Sequence, residues 1–179
     1  LHENLGKEGS KVYTILDMIN HLGEYPEDMT GKIVVVIGGG AVGLDVVEYF
    51  APRGADVSTV EMMPIIGNGI DPVSKVGINT LMNKYGVKQM PNTALKEVSP
   101  DNFLWEINGE QKELPFDYGF VCLGMKAEHP VLQNLRDAFG EEDQIEIVNI
   151  GDSVRARRII DGTEEGRNIL NTLERRGYL

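Results

Sequence analysis

The residues best suited to chemistry in this chain are glycines. Residues 38–43 read Gly-Gly-Gly-Ala-Val-Gly and fit the pattern Gly-x-Gly-x-x-Gly. In that pattern Gly38 can make a tight turn, Gly40 lets the backbone come close to a diphosphate, and Gly43 lets a helix pack against the preceding strand. The first turn of that helix would present free amides and a partial positive charge to phosphate oxygens. We therefore predict a dinucleotide site, with a turn that binds nothing as the alternative. The predicted site residues are Gly38, Gly39, Gly40, Ala41, Val42 and Gly43.

A carboxylate follows at the distance that such a motif requires. Glu61 lies 23 residues after Gly38, close to the spacing of about 20 found in dinucleotide-binding proteins. At the end of the second strand it can accept hydrogen bonds from the adenosine ribose, and it would repel a 2′-phosphate. Met62 and Met63 follow where an NADP(H) site would favour arginine, so we predict NAD(H) and count Met62 among the cofactor-binding residues. FAD uses the same fingerprint and stays an alternative.

The motif lies among the elements that must position it. Lys32–Ile37 is a continuous β-branched run, which is typical of a strand covered on both faces in a parallel sheet. Ala41–Pro52 is periodic enough for a helix, and Asp56–Glu61 resembles a second strand. Strand, turn, helix and strand within about 30 residues make one βαβ unit.

Short strands separated by turn residues come later in the chain. Asn108-Gly109 is the strongest two-residue signal for a hairpin. The sequence therefore predicts a small antiparallel meander. Its strands are Thr93–Val98, Phe103–Ile107 and Lys112–Leu114. Asp117–Leu123 is predicted to return as an apolar strand that ends at Gly124.

Together these segments predict an α/β fold, a Rossmann-like three-layer nucleotide-binding domain with a parallel sheet and an antiparallel β-meander. We expect an N-terminal arm and helix (1–30), an NAD(H)-binding domain (31–125) and a C-terminal segment (126–179). The other predicted elements are helices at Ser10–His21, from Asp71 or Ser74 through Tyr85, within 126–143 and at Thr163–Arg176, and strands at Val87–Met90 and Ile145–Ile150.

Composition excludes several classes of function. The chain of 179 residues has a net charge of −11, so its surface as a whole lacks the basic character that nucleic acid requires. The single cysteine, Cys122, cannot form an internal disulfide and lies in an apolar run that predicts a buried core residue. The three histidines lack the spacing of metal ligands. No apolar stretch is long enough for a membrane helix and the opening residues are polar. We predict no metal and no membrane partner, and a cytoplasmic location.

Several of these features resemble the NAD(P)H-binding domain of the two-dinucleotide flavoproteins. They are Gly38–Glu48, the strand Val57–Glu61, the meander and the segment Asp117–Gly124. Two further segments are similar to one branch of that group, the NADH:flavin oxidoreductases related to 2,4-dienoyl-CoA reductase and 2-enoate reductase, which are also related to old yellow enzyme. These segments are Val12–Asp17, and Asn149–Asp152 with the following Arg157–Gly162 and Gly166.

The resemblance assigns roles to particular residues. It implies that the backbone at Gly124 approaches the cofactor and that Gly151 and Asp152 contact FAD, so that 126–179 would be part of an FAD-binding domain. Asp45 stands where the family usually has Glu near the nicotinamide, with a solvated carboxylate on the first helical turn as the alternative. For the basic cluster Arg155–Arg158 a cofactor phosphate, another domain and plain solvent all stay open.

The resemblance also implies a larger protein than this chain. The family carries a second glycine motif, a barrel with FMN and a cysteine cluster for an iron–sulfur centre, and the chain has none of these and begins at Leu1. We therefore expect an excised module whose partners are NADH and the rest of a flavoenzyme, its FAD domain and FMN barrel, with a homo-oligomer left open.

The predicted function is delivery of hydride from NADH to FAD, for reduction of an enoate- or enoyl-type substrate elsewhere in the parent protein. No catalytic side chain is predicted, because the cofactors supply the chemistry. A stand-alone NADH-binding or sensing module without catalysis is the main alternative. A free-standing dehydrogenase, for which we find no acid or base, and a decayed nucleotide site that serves as an interface are two others.

Overall fold

The computed structural model describes residues 8–139 and 145–177 of the chain. Within these residues the chain forms eight strands and six α-helices. In chain order they are β1 (Val12–Tyr13), α1 (Ile15–Asn20), β2 (Ile33–Ile37), α2 (Ala41–Phe50), β3 (Asp56–Val60), α3 (Pro72–Lys84), β4 (Lys88–Met90), β5 (Ala94–Val98), β6 (Asn102–Ile107), β7 (Glu110–Pro115), β8 (Tyr118–Val121), α4 (Pro130–Phe139), α5 (Ile159–Arg167) and α6 (Ile169–Arg175).

The centre of the fold is a parallel sheet with strand order β1-β8-β2-β3-β4. β2 pairs with β3 from Ile33↔Asp56 to Ile37↔Val60, and with β8 on its other side. α2 connects β2 to β3, as in the predicted βαβ unit. Because all these strands are parallel, their carboxyl ends meet at one edge of the sheet, where ligands of doubly wound folds bind.

The parallel sheet is covered on both faces, which explains the continuous β-branched run in β2. Val34 and Val36 pack with α2, including Val47 and Phe50, in one core cluster. Val35 and Ile37 point to the opposite face and belong to a second cluster that includes residues of the meander. Helices, parallel sheet and meander thus form three layers, and the predicted Rossmann-like α/β fold is confirmed.

The meander is the predicted antiparallel sheet of β5, β6 and β7. Asn108 and Gly109 have φ values of 53° and 81°, the positive values that a tight two-residue hairpin turn needs. The meander packs closely on β8, because a Cβ at Gly119 would lie only 2.9 Å from Cζ of Phe103 in β6. Trp105, the only tryptophan of the chain, is buried opposite Leu95 of β5. Its indole nitrogen has no hydrogen-bond partner among the described residues.

The first predicted helix is wrong over its opening residues. Val12 and Tyr13 form strand β1, which pairs with β8, and Val12 is buried. The helix begins only at Ile15, because Thr14 and Asp17 form a capping box at its start. Ser10, where the predicted helix begins, accepts a hydrogen bond from Val12 N. Further along, Asp71 rather than Ser74 caps α3.

The predicted C-terminal elements also differ from the structure. Ile145–Ile150 is not a strand, since no strand of the described chain pairs with it. The predicted helix Thr163–Arg176 is two helices, α5 and α6, with Asn168 between them. The helix expected within 126–143 is α4, and residues 140–143 of that prediction lie outside the described residues.

The chain divides into two compact units, Leu1–Gly124 and Met125–Leu179. The first contains both core clusters. In the second, none of the described residues is buried. Across 8–139 and 145–177, no helix combines the length and apolar character needed to cross a bilayer.

Candidate functional site

The turns after β2, β3 and β8 meet at the carboxyl edge of the parallel sheet. A cavity of about 610 Å³ opens there, within the range of roughly 300–1,000 Å³ that is usual for small-molecule sites. We call it the edge cavity. Of the predicted site residues, those that line it are Gly38, Gly40, Ala41, Val42, Glu61, Met62 and Gly124.

Two of the three motif glycines are required by the packing of the turn itself. Gly38 has φ of 107°, and a Cβ there would lie 2.3 Å from the carbonyl oxygen of Cys122. A Cβ at Gly43 would lie 1.8 Å from the carbonyl oxygen of Gly38. Since both distances are far below van der Waals contact, a side chain at Gly38 would collide with the chain that follows β8, and one at Gly43 would push α2 away from the end of β2.

Gly40 differs from its two partners because its missing side chain leaves open space. A Cβ at Gly40 would meet no atom within 4 Å, and Gly40 lines the edge cavity. Its φ of −79° is one that any residue can adopt. The free approach to the backbone at Gly40 therefore fits a ligand group that must come close, as a diphosphate does.

The amino end of α2 has no cap within the protein. Gly40 is the N-cap residue and provides no side-chain hydrogen bond. The first amide that donates along the helix is Leu44 N, to Gly40 O at 3.0 Å. The preceding amides at the start of α2 have no carbonyl one turn back in the helix. They are donors that an anion in the edge cavity can use.

Glu61 holds its carboxylate at this edge through two backbone amides. Oε2 accepts a hydrogen bond from Gly39 N at 2.7 Å, and Oε1 accepts one from Met63 N at 2.8 Å. The backbone of Glu61 is also fixed, since its N donates to Met90 O and its O accepts from Thr93 N. The carboxylate thus lies beside the glycine turn in one orientation.

Both backbone groups of Gly39 are engaged by neighbouring residues of the protein. Its N–H donates to Glu61, and its carbonyl oxygen accepts a hydrogen bond from Gly67 N at 2.7 Å. Gly39 is absent from the lining of the edge cavity, as is Gly43. Both backbone groups of Gly39 are therefore bonded within the protein, and its assignment as a cofactor contact stays a prediction.

The far side of the edge cavity is formed by the turn after β8. Gly124 is exposed with φ of 89°, and a Cβ there would meet no atom within 4 Å. Met62, on the near side, is 70% exposed. The backbone at Gly124 is thus open to a ligand, as the resemblance implies.

Cys122 is buried, as predicted, and its place in the edge cavity was missed. Burial, reinforced by the negative charge of Asp45, raises the pKa of the Cys122 thiol to about 12. The thiol is therefore protonated at neutral pH and is a poor nucleophile. Loss of hydration also raises the pKa of Asp45 above its ordinary value, although this side chain is exposed.

Sequence reasoning also missed the cavity wall formed by the start of β5. Thr93, Ala94 and Leu95 line the edge cavity. The signal was available, because β4 ends at the same edge as β2 and β3, so the residues that follow it must lie beside the turn.

No group of histidine, cysteine or carboxylate side chains in the described chain could hold a metal ion.

Gly151 and Asp152 lie in the second unit. Gly151 N donates to Glu165 Oε2 at 2.6 Å, and Asp152 Oδ1 accepts a hydrogen bond from Arg157 N at 3.1 Å. Arg157 also forms an ion pair with Glu165, and Arg158 forms one with Asp161. The guanidinium groups at 157 and 158 therefore already have carboxylate partners.

Comparisons with known proteins find a family and several relatives that match most of the chain. The family described as pyridine nucleotide-disulphide oxidoreductase matches residues 3–152. Bilirubin reductase of Mediterraneibacter gnavus is 32% identical over 172 residues, which are 93% of this chain and 25% of the relative. NADH oxidase of Thermoanaerobacter brockii is 27% identical over 160 residues, 89% of this chain and 24% of the relative. The chain spans about a quarter of the length of these two curated relatives.

Two solved structures show the same fold. A 2-naphthoyl-CoA reductase complex superposes with a TM-score of 0.67 at 25% identity, covering 87% of this chain and 22% of that one. Histamine dehydrogenase from Rhizobium sp. 4-9 superposes with a TM-score of 0.72 at 20% identity, covering 92% of this chain and 26% of that one.

Proposed function

Because the chain belongs to the pyridine nucleotide-disulphide oxidoreductase family, we propose that its first unit binds NADH and presents it to FAD within a longer protein. The observation that carries the proposal is the Glu61 carboxylate, held 2.7 Å from Gly39 N beside the glycine turn. It supports NADH over NADPH, because a fixed carboxylate beside the ribose accepts hydrogen bonds from hydroxyl groups and repels a phosphate.

The chain's own residues would bind and orient the cofactor. The uncapped amides at the start of α2 would hold the diphosphate, and the open backbone at Gly40 would let it approach. The turn at Gly124 would border the opposite end of the ligand. When both cofactors are bound, reduced nicotinamide supplies a hydride and flavin accepts it. We propose no proton-transferring side chain for the chain. The Cys122 thiol has a pKa of about 12 and keeps its proton at neutral pH.

We further propose that residues 126–179 are part of an FAD-binding domain completed by chain outside this sequence. None of the described residues after Gly124 is buried, whereas Ile159 is 91% and Leu170 is 65% exposed. A unit whose described residues include none that is buried lacks a core of its own, so we propose that further chain completes it. The roles of Gly151 and Asp152 as FAD contacts, and the domain limits 31–125 and 126–179, remain part of this proposal.

The acceptor beyond FAD would be bound by the rest of the longer protein. One structural neighbour, at 25% identity, is named 2-naphthoyl-CoA reductase, and the proposed enoyl-type substrate belongs to the same chemical class only in being an unsaturated acyl compound. Other relatives are named bilirubin reductase, NADH oxidase and metal reductase. Since proteins named for different acceptors share this module, residues outside it would choose the acceptor. The cytoplasmic location and the oligomeric state remain predictions.

Calorimetric titration of the chain with NADH, NADPH and FAD in parallel tests the proposal. We expect NADH to bind more tightly than NADPH. Tighter binding of NADPH would contradict the role of Glu61, and binding of FAD alone would reassign the glycine turn to the flavin. Dye reduction by NADH in the longer protein, with its FAD domain present, separates the hydride-delivering module from a sensing module, which would bind NADH and reduce no dye.

A further inference from the structure

The Glu61 carboxylate is hydrogen-bonded within the protein even without a ribose beside it. Both oxygens of its carboxylate accept backbone hydrogen bonds, from Gly39 N at 2.7 Å and from Met63 N at 2.8 Å. Hydrogen bonds to a charged acceptor are about twice as strong as those between neutral groups. The side chain therefore connects the turn after β2 with the segment after β3.

Gly39 is held from its other side as well. Its carbonyl oxygen accepts a hydrogen bond from Gly67 N at 2.7 Å, and a Cβ at Gly39 would lie 3.2 Å from both Glu61 Cβ and the buried Ile66. Gly39 is the middle of three consecutive glycines, which have the largest backbone freedom of all residues. Without these bonds, little in the local sequence would keep the turn in one conformation.

We propose that Glu61 is a positioning residue for the glycine turn, and that it orders the diphosphate site before any nucleotide binds. The inference rests on the proposed function, because it concerns the same turn and the same ligand. It goes further in one respect. The carboxylate would strengthen binding of the diphosphate, a group that it does not touch and whose charge it repels.

Two roles of Glu61 thus predict opposite effects on a ligand without ribose hydroxyls. If Glu61 acts only by accepting hydrogen bonds from those hydroxyls, its removal should leave the affinity for such a ligand unchanged or should raise it, since a negative charge is lost. If Glu61 positions the turn, its removal weakens the same ligand. 2′,3′-Dideoxy-ADP keeps the adenine and the diphosphate and has neither hydroxyl, so it separates the two roles.

The first test is amide hydrogen exchange of the unliganded chain, followed by NMR. In Glu61→Ala we expect the amides of Gly39 and Met63 to exchange at least about tenfold faster, as loss of a hydrogen bond to a charged group implies. The amide of Val35 in the core reports global stability and should change less. Glu61→Gln keeps one acceptor oxygen and should release one of the two amides. Glu113→Ala removes an exposed carboxylate on β7 and is the matched control.

The second test compares ADP and 2′,3′-dideoxy-ADP by calorimetry. Glu61→Ala should weaken dideoxy-ADP by about threefold or more, and Glu113→Ala should leave it unchanged. Unchanged protection of the Gly39 amide in Glu61→Ala, or equal or tighter binding of dideoxy-ADP, would overturn the inference. If the unaltered chain binds no nucleotide, the proposed function fails, and the exchange rates still decide whether Glu61 orders the turn.

Discussion

A methyl group on Gly43 would lie 1.8 Å from the carbonyl oxygen of Gly38, so the backbones of these two motif residues can approach each other only because Gly43 has no side chain. They join the start of α2 to the end of β2. The third motif glycine, Gly40, has no such neighbour. The three positions therefore separate into two that the fold needs and one that a ligand would need.

Gly40→Ala should impair nucleotide binding and leave the fold intact. Its φ of −79° suits alanine and the added methyl meets no protein atom within 4 Å, but the methyl would obstruct the approach of a diphosphate. We expect at least about tenfold weaker NADH binding by calorimetry, which corresponds to loss of one charge-assisted hydrogen bond. Gly77→Ala, on an open face of α3, is the control. Equal NADH affinity in Gly40→Ala would show that the diphosphate does not bind at this turn.

Glu61→Ala should weaken NADH and reduce the preference over NADPH. The ribose hydroxyls lose their acceptor, and the 2′-phosphate of NADPH no longer meets a fixed negative charge. We expect about tenfold weaker NADH binding, with a smaller change or a gain for NADPH, measured by parallel titrations. A variant with the original selectivity would show that other residues choose the nucleotide.

Gly119→Ala should lower the stability of the fold. The new methyl would lie 2.6 Å from Phe116 Cζ and 2.9 Å from Phe103 Cζ, so the meander must move away from β8. Overpacking of this kind costs about 1–3 kcal/mol, which thermal and urea unfolding can measure. Gly77→Ala should instead stabilise by about 0.5–1 kcal/mol, because alanine favours a helix. Equal stability of Gly119→Ala and the unaltered chain would mean that this contact yields easily.

Stability should fall as the pH rises from about 9 to about 12. Burial raises the pKa of Cys122 from 9.0, and that of Tyr25 from 10.0, to about 12 in each case. Between the unfolded and folded values the unfolded state has fewer protons bound, so alkaline pH favours unfolding. The contribution is complete below about pH 9 and is lost as the pH passes 12. Urea unfolding from pH 8 to 11 measures it.

Cys122→Ala should have a shallower pH dependence over that range, because one of the two groups is gone. A thiol reagent provides an independent check at pH 8, where the native thiol should react far more slowly than the thiol of the urea-unfolded chain. Parallel pH curves for Cys122→Ala and the unaltered chain would contradict the proposed origin of the alkaline loss.

The central fold was predictable from the sequence because local and tertiary preferences agree there. The run Ile33–Ile37 is β-branched at every position, and the structure buries Val34–Ile37. The same reasoning failed at Ile145–Ile150, where an apolar run finds no strand to pair with in the described chain. At Val12 the predicted helix was wrong, because this residue is buried and pairs with β8.

The site was only partly predictable, because spacing reveals which residues share an edge and not which atoms meet. The spacing between Gly38 and Glu61 predicted that both residues lie at the carboxyl ends of neighbouring strands. The bond from Gly39 N to Glu61 Oε2 depends on the exact path of the turn, and the position of Gly67 depends on the burial of Ile66. Neither contact has a signature in the sequence.

Trp105 gives the chain an optical reporter of its own. It is the only tryptophan, it is buried, and it lies opposite Leu95, a wall of the edge cavity. Reduced nicotinamide absorbs at the wavelengths where an indole emits, so a bound dinucleotide would quench this emission by energy transfer. Ligand occupancy could then be followed in real time on unlabelled protein, because the meander holds the Trp105 indole, the energy donor, in one place.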